Sequence, residues 1–169
     1  DASAWANFLG LLKKTRPRQP INGVLLTVSV QDLLQQDSNE RARQAATLRV
    51  RLSELQTRLG LRVPVYVLIT KADLMAGFAE TFDAMGAEDR AQVWGLTFAA
   101  DVAEQAPLEG LDERLSALRQ RLVAQLPARM DAERDGLRRA AIFAFTQEFA
   151  ALGEVLTPFL RAVFEGGGA

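Results

Sequence analysis

The sequence predicts an α/β fold: a partial parallel sheet with flanking helices and a helical extension at its carboxyl end. Three patterns carry that prediction. Ile21–Val30 (INGVLLTVSV) and Val63–Thr70 (VPVYVLIT) are nearly continuous apolar runs, the texture of buried parallel strands with both faces covered. The stretch between them has helical periodicity, so strand, helix and strand read as one right-handed crossover unit with parallel strands. From about Pro127 onward only helical periodicity remains, which divides the chain into a sheet-bearing region at 1–127 and a helical extension at 128–169.

The elements follow in order. Trp5, Phe8, Leu9 and Leu12 recur at helical spacing, and Lys13 and Lys14 fall in the last turn, where cations complement the helix dipole. Arg16-Pro17-Arg18-Gln19-Pro20 ends that helix and enters the first strand, about 21–30, extended. Asp37 with Glu40 three residues later is a capping box that opens the crossover helix. Its apolar stripe runs through Ala45, Leu48, Leu52, Leu55 and Leu59, and Gly60 stops it. The second strand occupies about 63–70, and a short helix is expected over Leu74–Met85.

Val93–Phe98 (VWGLTF) is short, apolar and bracketed by polar residues, so a third strand is expected at 93–98. Leu108, Leu111, Leu115, Leu118, Leu122 and Leu126 mark another amphipathic helix, with Pro127 as its stop. From Met130 a long helical pattern runs through Leu137, Ala141, Phe145, Phe149, Leu152 and Leu156. Pro158 is expected to kink or restart it, because proline lacks the amide donor and clashes with the preceding turn. Gly166-Gly167-Gly168 reads as a frayed end or linker.

Composition narrows the function classes. The chain contains no Cys and no His, which excludes disulfides, Cys/His metal centres, Cys nucleophiles and His-based acid–base chemistry within it. A net charge of −1 gives no global field toward nucleic acid or acidic lipid. No apolar run reaches the roughly 18–20 residues of a membrane span.

Chemistry concentrates at the end of the second strand, where Thr70-Lys71-Ala72-Asp73 breaks the apolar run. Polar residues at the carboxyl end of a parallel strand lie where open α/β sheets bind ligands. Asp73 there would accept hydrogen bonds from the donor edge of a base while the Lys71 stem packs beside the ring. The other reading makes Asp73 a helix cap and Lys71 a solvated charge. Asp32, just past the first strand, could face the same crevice, although a turn or capping role for it is favoured. Lys13, Lys14, Arg16 and Arg18 read as a solvated helix end, and Phe78, Phe82 and Trp94 as core. Asp131, Glu133 and Asp135 suit a helix start and receive no catalytic role. Phe143, Phe145, Phe149, Phe159 and Phe164 spread wider than one stripe, so the terminal helices have an apolar face to offer another segment or subunit.

No G-x-x-x-x-G-K-[ST] or G-x-G-x-x-G loop occurs, so nothing in the chain cradles phosphates, and it is expected to hydrolyse no nucleotide by itself. With its first residue Asp1 and a helix already under way by Trp5, it reads as part of a longer protein.

Thr70, Lys71 and Asp73 resemble the [NT]-K-x-D signature of GTP-binding proteins. RPRQPINGVLLTVSVQDLL at 16–34, VPVYVLITKADLMAGFAETFDAM at 63–85 and RAQVWGLTF at 90–98 together resemble the IcmF/TssM family of bacterial type VI secretion machines. That resemblance implies a partial GTPase-like sheet of the P-loop NTPase class, carried by an inner-membrane protein and lying on the cytoplasmic side. It further implies a phosphate-binding loop upstream, GTP or ATP with magnesium as ligand of the parent, and other membrane-complex and baseplate proteins as partners. Scaffolding and docking is the leading function on this reading, and a GTP-binding or hydrolysing half-domain is the rival. Thr at 70 in place of the commoner Asn leaves guanine against adenine open.

Overall fold

The computed structural model describes residues 2–98 and 108–165. The expected strand, helix and strand form in order, with the two strands parallel. Strands β1 (Val24–Ser29) and β2 (Val65–Thr70) pair in parallel, in register from Val24 opposite Val65 to Ser29 opposite Thr70. Between them lie α2 (Val30–Gln35) and the crossover helix α3 (Ser38–Leu59), and α1 (Ala2–Thr15) precedes the sheet. After β2 come a 3-10 turn (Ala72–Leu74), α4 (Phe78–Phe82) and α5 (Ala87–Arg90), then the long helices α6 (Leu111–Ala132) and α7 (Gly136–Phe164).

Local signals set the ends of α3 as the sequence reading has them. Asp37 accepts from the Glu40 amide at 2.8 Å while Glu40 accepts from the Asp37 amide at 2.9 Å, completing the capping box. Gly60 ends the helix in the left-handed conformation, with φ 68°. Lys13 of α1 donates to the Arg58 carbonyl at 2.9 Å, placing a cation on the carboxyl end of α3.

The core lies on one side of the sheet. Leu26 and Val28 of β1 pack with Val65, Val67 and Ile69 of β2, with Leu48 and Leu52 of α3, and with the inner stripe of α7. That stripe comprises Phe145, Phe149, Leu152, Leu156, Phe159, Leu160 and Val163, all buried. Burying one such side chain stabilises by about 1.5–3 kcal/mol, so α7 is a main source of the fold's stability. Gly77, at φ 77°, turns the chain into α4 directly against the backbone of α7 at Ala141.

Five expectations need correction. The strands are not covered on both faces among the described residues: Leu25, Thr27, Tyr66 and Leu68 form an open face, with Leu25 68% exposed. Apolar sequence on both sides of a strand says that each side suits burial, not that a cover is present.

The third strand at 93–98 does not form. Val93 is 96% exposed, and Trp94 instead lies over Phe82 and Phe149 at ring distances of 5.5 and 5.2 Å. The run packs against the core through Leu96 and Phe98 and pairs with neither strand.

Pro127 does not stop α6, and α7 runs unbroken through Pro158. Both prolines are exposed, as are Val123 and Glu154 four residues before them, so the carbonyls that lose their donors face water. The interruption falls later, at Glu133–Asp135, where Asp135 caps α7 by accepting from the Leu137 amide at 2.7 Å.

Over Leu74–Met85 the expected helix is shortened to α4, flanked by the 3-10 turn and Gly77. The glycine stretch at 166–168 lies outside the described residues.

Candidate functional site

The polar corner predicted at the end of β2 lies beside the end of β1, because the parallel register sets Thr70 opposite Ser29. Thr70 Oγ1 donates to the Val28 carbonyl at 3.4 Å, tying the two strand ends together. The Ser29 hydroxyl accepts from the Asp32 amide at 3.2 Å and so caps α2. The capping role considered for Asp32 therefore belongs to Ser29, and the Asp32 carboxylate points elsewhere. It lies 3.8 Å from Lys71 Nζ.

Lys71 has φ 58° and ψ 28°, and among the described residues it is the non-glycine with positive φ. A left-handed backbone costs a residue with a Cβ about 1–2 kcal/mol. The turn that follows holds it there: the Leu74 amide donates to the Lys71 carbonyl at 3.2 Å and the Met75 amide to the Ala72 carbonyl at 3.1 Å. Met75 is buried in the core and anchors that turn.

Asp73 is exposed within the turn and caps no helix, since α4 starts at Gly77 without a side-chain bond. Thr70, Lys71 and Asp73 are thus brought together at one rim, joined there by Asp32. An exposed carboxylate presents acceptors only, and a lysine stem beside it presents a flat apolar flank ending in three donors. Sequence reasoning missed both the left-handed backbone of Lys71 and its pairing with Asp32. The usable signal was positional, since each residue follows the carboxyl end of one of two adjacent parallel strands.

At the opposite end of the strands lies a mainly apolar hollow of about 160 Å³, lined by Ile21, Val24, Leu52, Leu55, Leu61 and Phe164 among others. Its polar lining is Arg49, Ser53 and Gln56, with no carboxylate among them.

The whole sequence adds what this corner alone leaves open. The model of the IcmF-related N-terminal domain matches residues 1–168. The chain belongs to that family. This IcmF-related domain is 47% identical over 167 residues to the type VI secretion system component TssM1 of Pseudomonas aeruginosa. The match covers 98% of the domain and 15% of that relative, so the domain spans about one-seventh of the relative's length. No solved structure matches it. Among the described residues, no helix is long and apolar enough to cross a membrane.

Proposed function

We propose that this domain is a docking element of a type VI secretion membrane-complex protein, placed on the cytoplasmic face of the bacterial inner membrane. There it joins other components of the membrane complex and baseplate. Family membership and the relative's name support a place in a type VI secretion system. One observation carries the docking role: the open sheet face of Leu25, Tyr66 and Leu68, at 68%, 56% and 44% exposure. Parallel sheets are stable with both faces covered, and contiguous exposed apolar surface is where partners bind. In the full-length protein, Tyr66→Glu and Leu68→Glu should sharply reduce co-purification with other secretion components while circular dichroism stays unchanged. Undiminished co-purification would remove the docking role from this face.

A second reading is favoured by the corner itself. Here the sheet is part of a P-loop NTPase-like fold whose phosphate-binding loop comes from another stretch of the polypeptide. Thr70, Lys71 and Asp73 then receive the base of GTP or ATP, whose magnesium and phosphates are held elsewhere. A lysine held at positive φ beside an exposed carboxylate supports this reading, since strained backbone concentrates at ligand sites. Titrating the full-length protein with fluorescent GTP and ATP analogues tests it, with Asp73→Asn expected to change base preference. Equal affinities for the two bases, untouched by the substitution, would count against it.

A further inference from the structure

Asp32 lies at the same rim but outside the Thr70-Lys71-Ala72-Asp73 string. We infer that Asp32 is the positioning residue of Lys71: its carboxylate fixes the ammonium so that the lysine stem spans the ends of both strands as a shelf for a base. This inference rests on the reading of the corner as a base site.

The argument starts from where each partner is rooted. Asp32 lies in the first turn of α2, and its amide is bound by Ser29 Oγ at 3.2 Å, so its carboxylate springs from a fixed backbone. Lys71 is fixed too, at φ 58°, by the turn closed through Leu74 and Met75. Thr70 Oγ1 on the Val28 carbonyl at 3.4 Å holds the two roots side by side.

Lysine's usual drawback as a recognition residue is the freedom of its four-carbon stem. With the Cα set by the turn and Nζ 3.8 Å from Asp32 Oδ1, an ion-pair distance without a hydrogen bond, the far end of that stem is biased toward Asp32. The side chains are 48% and 55% exposed, so the pair adds little to fold stability. Its consequence is orientation: the ammonium is drawn toward the end of β1, and the methylenes lie across the rim. The Asp73 carboxylate, in the same turn, remains available to donors on a ring edge.

The test is a double-mutant cycle on the full-length protein, read as affinity for a fluorescent GDP analogue with magnesium. Asp32→Ala should weaken binding about two- to five-fold, the range that a half-exposed ion pair supplies. The loss should shrink in high salt and vanish in the Lys71→Ala background, with thermal unfolding unchanged. An equal loss in both backgrounds, or no loss from Asp32→Ala in a protein that binds the analogue, overturns the positioning role and leaves the base site standing. A wild-type protein that binds no nucleotide defeats both.

Discussion

A Cβ placed on Gly77 would overlap the carbonyl oxygen of Ala141 and come within 2.6 Å of its carbonyl carbon. The neighbour is helix backbone, which cannot rotate aside, and Gly77 also sits at φ 77°. Gly77→Ala therefore combines a clash with backbone strain and should destabilise by about 3 kcal/mol or more. Urea unfolding checks this: the midpoint should fall with little change in slope. An unchanged midpoint would mean that α4 and α7 are not packed this closely.

Phe145 is fully buried, with Phe78 and Phe82 meeting its ring edge-on at 5.7 and 5.4 Å. Phe145→Ala should cost about 3–5 kcal/mol through lost transfer energy and the cavity left behind. Phe143, two residues away and 52% exposed, is the internal control, and its replacement by Ala should cost under about 1 kcal/mol. Similar losses at the two sites would contradict the assignment of the α7 inner face.

The ends of α3 were legible in the sequence because local chemistry sets them: a capping box at Asp37 and a glycine at 60 act within a few residues. The parallel pairing was legible because an amphipathic helix between two apolar runs leaves few other arrangements. The strand expected at 93–98 was not, because a strand exists only beside a partner edge. Pro127 and Pro158 misled for a related reason, since a proline's cost in a helix depends on whether the carbonyl four residues back meets water or core. Of the corner, Thr70, Lys71 and Asp73 were visible as a string. Asp32 was visible only as a residue near the crevice, because its link to Lys71 spans the crossover.

Glu133 accepts the Asp135 amide at 2.9 Å and pairs with Arg138 at 2.8 Å, and Arg138 also reaches Asp83. The Asp135 amide foremost, and then the Arg138 guanidinium, hold the Glu133 carboxyl below its ordinary value of 4.5. A group whose folded value is depressed contributes stability above the unfolded value, and that contribution is lost as pH falls through the lowered folded value. Thermal stability should therefore drop as pH falls below about 4.5, and Glu133→Gln should flatten that part of the profile. An identical acid profile in the variant would show that the pair contributes nothing.

Lys71 sets stability against use. With its backbone at φ 58°, the native conformation penalises any residue that carries a Cβ, and glycine escapes the penalty. Lys71→Gly and Lys71→Ala both delete the side chain and its pairing with Asp32, so their difference isolates the backbone. Glycine gains about 1–2 kcal/mol from released strain and returns about 0.5–1 kcal/mol through its freer unfolded chain. Lys71→Gly should thus melt higher than Lys71→Ala by up to about 1.5 kcal/mol, or up to about 6 °C for a chain of this size. Both variants should lose nucleotide affinity alike in the full-length protein. A higher melting point for the alanine variant would mean that Lys71 is not held left-handed, and the fixed root on which the positioning by Asp32 depends would go with it.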